Sequence, residues 1–113
     1  MAPTTLVGAK TTTCPEGRDP AIAGYPIKVC ELLSSLDGPS YIARVAPVSA
    51  GGLAKTKAAI KKAFQKQLDG KGFSLVEVLS NCPTQWNMSP IDSLKWIEET
   101  ATKHYPLGEF VDR

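Results

Sequence analysis

The sequence predicts an α/β fold built on a strand–helix–strand unit. Two short, almost wholly apolar runs and one long amphipathic helix between them carry that expectation. The first run is YIARVAPV, Tyr41 to Val48, and the second is FSLVEVL, Phe73 to Leu79. Each carries a single charge, Arg44 in the first and Glu77 in the second. A strand with apolar residues on both sides suits a parallel sheet covered on both faces. Short links around the helix make this a βαβ unit with a right-handed crossover.

The elements follow in order. Residues 1–25 are rich in Thr, Pro and Gly and read mainly as loop, with room for a short helix after Pro3. From Tyr25 the spacing tightens: Ile27, Cys30 and Leu33 share a helical face, and Asp37-Gly38-Pro39 ends it. Pro47 stops pairing at the end of the first strand. In the helix over 53–68, Leu53, Ile60, Phe64 and Leu68 form one stripe, expected to face the core. Lys55, Lys62 and Lys66 project opposite it, and Lys57 and Lys61 run their stems along the core edge. The lysine face has no interleaved aromatics, so it reads as solvated rather than as a nucleic-acid surface. Asp69 to Gly72 supplies the stop. Ser89 is the N-cap of a last helix, with Pro90 at its first position and Asp92 completing an S-x-x-D box. Pro90, Leu94, Ile97 and Ala101 line its inner stripe, and YPLGEFVDR is a tail leaving it.

Two strands cannot make a covered parallel sheet, because both edges stay open. The chain is therefore expected to be part of a larger sheet, completed by other sequence or by a partner.

Its 113 residues suit one small domain. No apolar stretch reaches bilayer length, and the start resembles no secretory signal. A net charge of +2 is too small to imply nucleic acid. Cys14, Cys30 and Cys82 form no C-x-x-C pair and do not suggest a disulfide framework, which makes the cytoplasm the default compartment. With His104 as the only histidine, no self-contained zinc site is expected, and His104 reads as a packing residue. No phosphate-loop, dinucleotide or nucleophile-elbow motif occurs.

Ligands gather at the carboxyl ends of strands in open α/β sheets, and the loop from Ser80 to Met88 leaves such an end. Cys82 is there either a thiolate ligand or reactive thiol, or a small packing residue. Trp86 reads as packing. Trp96 points away from the last helix's apolar stripe, so it either marks an interface or lies under the tail Pro106 to Phe110. Arg44 and Glu77 are expected to pair structurally if their strands are neighbours, since a lone buried charge is costly. No residue is assigned a catalytic role.

Several strings occur in a telling order: MAPTTL, TTT, GRDP, GYPIKVCELL, YIARVA, KKAF, KGFSLVEVLSNCPTQW, SPIDSLKWI and YPLGEF. Together they resemble the C-terminal part of the thiamine-diphosphate-binding beta subunit of 2-oxoacid:ferredoxin oxidoreductases, nearest the 2-oxoglutarate and branched-chain branch. The resemblance covers the whole chain. It implies a βαβ portion of a larger doubly wound parallel sheet of the thiamine-diphosphate-binding fold. It also implies coenzyme A-dependent oxidative decarboxylation of a 2-oxoacid, with two electrons passing through an iron–sulfur cluster to ferredoxin. Thiamine diphosphate with magnesium, and a [4Fe–4S] cluster, are the implied cofactors of the complete enzyme. Other oxidoreductase subunits and ferredoxin are the implied partners, in an oligomer.

By the same resemblance, Pro3, Thr4 and Thr5 match a segment near the thiamine cofactor and are cofactor-proximal rather than ligands. Cys82 matches a cluster-ligating cysteine, although Asn81 replaces the proline that usually precedes it. The family's G-D-G…N magnesium motif and its T-G-G-Q loop are not in this sequence, so Met1 resembles an internal methionine. The isolated chain is expected to hold no cofactor and to be inactive alone. The alternative is a non-catalytic interaction module that associates with oxidoreductase subunits or with itself.

Overall fold

Alternating short apolar runs and helical periods produce ten successive segments in this computed structural model, which describes residues 2–113. Met1, read above as an internal methionine, lies outside the described residues. A one-turn helix α1 (Pro20–Ala23) and α2 (Val29–Ser34) precede β1 (Pro39–Val45). The long helix α3 (Ala50–Leu68) crosses to β2 (Phe73–Val78). A second one-turn helix α4 (Pro83–Trp86) leads to α5 (Pro90–Trp96). A π-helical turn (Ile97–Ala101) and α6 (Thr102–His104) end the helical run before β3 (Gly108–Asp112). The early helical turn thus lies at Pro20 rather than after Pro3, where the Asp19 side chain caps the Ala21 N–H.

The βαβ unit is present. β1 and β2 pair in parallel, with Arg44 directly opposite Glu77. The tail is not a loose exit, however. Its residues form β3, which lies antiparallel to β1 and makes the sheet order β2-β1-β3. Val111 enters the core beside Cys30 and Ile42, while Glu109 and Asp112 face the lysines of α3. One edge of the expected two-stranded sheet is therefore closed from within. The other edge, β2, has no neighbouring strand among the described residues.

α3 lies against β1 and β2 in an unexpected orientation. Its sheet-facing side is the small-residue row of Thr56, Ala59 and Ala63, packed on Tyr41, Ala43 and Val76. Gly52 belongs to this close approach, because a Cβ there would collide with the Ala46 carbonyl oxygen. The large apolar stripe is turned out: Ile60 is 39%, Phe64 68% and Leu68 82% exposed. Lys62 and Lys66, expected in solvent, reach β3 instead. Lys62 Nζ lies 2.9 Å from Glu109 and Lys66 Nζ 2.8 Å from Asp112. These lysines hold the Asp112 carboxyl down at about 2, Lys62 being the larger cause.

The last helix starts as expected, with Ser89 Oγ accepting from the Asp92 N–H at 3.1 Å. Its inner row is Ser93, Ile97 and Ala101, with Leu94 half-buried and Pro90 exposed. His104 packs edge-on against Tyr105 at 4.7 Å, and burial lowers its pKa.

Arg44, with no solvent exposure, fastens the centre. Its guanidinium holds Glu31 of α2 through both nitrogens at 2.9 and 2.6 Å, and Glu77 of β2 at 2.7 Å. It also donates to the Pro106 carbonyl at 3.1 Å and lies over the rings of Tyr105 and Phe110. The Arg44 hydrogen bonds hold the Glu31 carboxyl below its ordinary value. Beside them the Cys30 thiol donates to Glu77 at 3.0 Å, and burial, then Glu77, pushes its pKa up to about 12.

Two outcomes follow. Arg44→Leu leaves two carboxylates without their cation and should lower unfolding free energy by about 3 kcal/mol, read by urea titration. Because the folded pKa of Glu31 is depressed, its contribution is present above 4.5 and lost as pH falls through the lowered value. Stability of the native sequence should therefore drop on acidification over that range, and Arg44→Leu should flatten the drop. Second, iodoacetamide at neutral pH should modify Cys14 and Cys82 but spare Cys30 until the chain is unfolded, as mass spectrometry of the native and denatured protein would show.

Candidate functional site

The parallel strands end on the same side, and the chain gathers its loops there. After β2, Leu79 donates to the Val45 carbonyl at 2.9 Å, the last tie before the loop from Ser80. Asn81 turns its amide onto Ser93 Oγ at 2.8 Å, and Ser93 in turn donates to the Pro90 carbonyl. The loop is thus pinned to α5. Cys82 is the N-cap of α4 with no side-chain cap bond, so its sulfur is not used by the turn it begins. Asn87 at φ 53° ends that turn in the left-handed region, which asparagine tolerates.

The segment 2–13 covers this end from the other side. Its fastening is Arg18, buried and donating to the carbonyls of Ala2, Pro3, Thr5, Ala23, Gly24 and Tyr25 at 2.8 to 3.4 Å. Tyr105 donates its hydroxyl to the Thr4 carbonyl at 2.8 Å. The Thr12 N–H bonds the Gln85 carbonyl at 3.1 Å, and the two side chains also meet. Neither Arg18 nor Tyr105 was singled out from sequence, because an arginine in a turn-rich stretch gives no periodic signal.

Between these parts lies a cavity of about 880 Å³ at the carboxyl end of β2. Thr4, Thr5, Cys82 and Trp96 all line it, although they are far apart in sequence. Pro3 is not among its lining residues; its carbonyl is bound to Arg18 and to the Ile27 N–H. Trp96 is half-buried, with its ring 4.7 Å from that of Trp86 at a tilt of 51°. The two indoles, with Leu79 and Ile97, make an apolar wall facing the threonine hydroxyls of the N-terminal segment.

The wall suits a partly apolar ligand held by a few hydrogen bonds. It does not suit a complete metal or cluster site. Among the described residues no three His, Cys, Asp or Glu side chains come together as a metal cage. The lining's carboxylate, Glu77, is committed to Arg44 and Cys30. Magnesium diphosphate therefore finds no cradle of its own here, and one thiolate cannot hold a [4Fe–4S] cluster. Among the described residues no helix is long and apolar enough to cross a membrane.

No family model and no solved structure matches the chain. Curated proteins do. It is 45% identical over 113 residues to the ketoisovalerate oxidoreductase subunit VorA of Methanothermobacter marburgensis, covering all of this chain and 24% of that subunit. The VorA subunit of Methanothermobacter thermautotrophicus is 46% identical with the same coverage. The 2-oxoglutarate synthase subunit KorB of Archaeoglobus fulgidus is 36% identical over 99 residues, 88% of this chain and 33% of that subunit. The chain thus spans about a quarter of the VorA subunits it matches. Identity at this level along its whole length places the chain in the 2-oxoacid:ferredoxin oxidoreductase family, as a segment homologous to part of the VorA and KorB subunits.

Proposed function

We propose that this chain forms one wall of the reaction chamber in a 2-oxoacid:ferredoxin oxidoreductase. In that role it contributes to coenzyme A-dependent oxidative decarboxylation of a 2-oxoacid, with electrons passing to ferredoxin, and it acts only with the rest of its subunit and with companion subunits. The observation that carries this reading is the cavity itself. Thr4 and Thr5, placed near the thiamine cofactor by resemblance, and Cys82, placed at the cluster, line one space at the carboxyl end of the sheet.

The chain's own side chains have limited tasks in this reading. Trp86, Trp96, Leu79 and Ile97 exclude water from one side of the chamber. Thr4 and Thr5 lie where they can orient a bound group by hydrogen bonding. Cys82 contributes a single thiolate to a cluster whose other ligands lie outside this chain. The diphosphate and its metal are likewise held from elsewhere, so no chemical step is assigned to a residue of this chain.

A chimera provides the test. The homologous quarter of the Methanothermobacter marburgensis VorA subunit is replaced by this chain and assembled with the other subunits of that enzyme. Reduction of a viologen dye should then depend on both 2-oxoacid and coenzyme A. An assembled, soluble chimera that reduces no dye would sink the catalytic reading and leave an interaction module. In the active chimera, Cys82→Ser should lose bound iron, iron–sulfur absorbance and dye reduction, whereas Cys14→Ser should keep all three.

A further inference from the structure

α3 has three differently employed flanks. Thr56 and Ala59 face the sheet. Lys62 and Lys66 reach Glu109 and Asp112 on β3, the strand at one edge. Gln67 reaches the other way, its amide nitrogen 3.2 Å from Ser74 Oγ on β2, the strand at the opposite edge. At about 100° per residue, Ile60 and Phe64 sit beside Gln67 on the helix surface. The outward apolar stripe therefore overhangs the open edge of β2.

The two edges are also finished differently. β3 carries Glu109 and Asp112, both paired, as an outer strand often does. β2 carries no proline and no lysine, and its one charge, Glu77, is turned inward to Arg44. Its terminal side chains Phe73 and Val78 are exposed at 50% and 39%, and Ser74 to Glu77 between them are half-buried. An unpaired backbone row under an apolar overhang is unfinished packing, not a protected edge.

We infer that β2 and the Ile60–Phe64 flank of α3 form one seam. Onto it docks a parallel strand with its covering helix, supplied by the remaining three quarters of the VorA-type subunit. The choice of partner rests on the family reading above. The geometry supports it independently in two ways. Right-handed crossovers that extend a parallel sheet in one direction put successive helices on one face, so the next helix meets α3 on this flank. A second copy of this chain would instead pair β2 with β2 about a two-fold axis, which is an antiparallel contact, whereas the near-continuous apolar pattern of FSLVEV suits parallel neighbours.

The test reads association rather than turnover. This chain is co-expressed with the remaining part of Methanothermobacter marburgensis VorA as a separate polypeptide, and the affinity of the pair is measured. Ile60→Asp with Phe64→Asp should weaken association tenfold or more. Urea unfolding of the isolated variant should remain that of the parent, because both side chains are already exposed. Hydrogen exchange at the β2 amides should slow on association with the parent chain. Failure of the parent chain to associate, undiminished affinity of the double variant, or a homodimer of this chain that the variant dissolves would each overturn the seam. An associated but dye-inactive assembly would count against the proposed activity and leave the seam standing. An active chimera together with undiminished affinity of the double variant would do the reverse.

Discussion

A guanidinium sealed from water at the middle of a sheet has to be neutralised where it stands, and much of this architecture meets that demand. Arg44 projects from the central strand, so its counter-charges must come from elements lying beside that strand. Glu77 is supplied by parallel register with β2, and Glu31 by the packing of α2 across the same face. The remaining donor capacity draws in the Pro106 carbonyl, and with it the turn that sends the chain back as β3. One buried cation thus fixes a register, a helix position and a return path. A shift of β2 by one residue would send Glu77 to the other face and strand the charge.

That constraint was partly legible in the sequence. Single charges of opposite sign, one in each apolar run, announced a pair, and the register delivered it. Glu31 was hidden because its helix is short and its distance from Arg44 in sequence says nothing about packing. β3 was hidden for another reason. A proline, a glycine and two acids in YPLGEFVD mask a strand whose pairing uses only a few residues, and edge strands are typically short and charged. The alternation of Phe110 and Val111 with Glu109 and Asp112 was the available signal, and it is weak at that length.

The orientation of α3 shows where a helical wheel misleads. Leu53, Ile60, Phe64 and Leu68 do form a stripe, and the periodicity was correctly read. Equating the largest side chains with the inner face presumed that this chain's own sheet was the helix's only neighbour. The row of Thr56, Ala59 and Ala63 allows close approach to β1 and β2, while the bulky row is left for something else. In a segment homologous to a quarter of a longer subunit, two kinds of apolar surface coexist: one meets the rest of the segment and the other does not. The candidate site was legible to a similar degree. The rule about strand ends placed Cys82 correctly, whereas the aromatic wall needed coordinates, because Trp86 and Trp96 meet only through the turn at Asn87 and the start of α5.

The frame and the lid of the cavity are tied down by different knots. Arg44 secures the sheet, whereas Arg18 gathers six backbone oxygens of the covering segment and bonds none of the strands. Cooperative opening need not therefore be shared between them. The covering segment can come away as a flap while the scaffold beneath stays shut, so access to the chamber is governed by the weaker fastening and durability by the stronger.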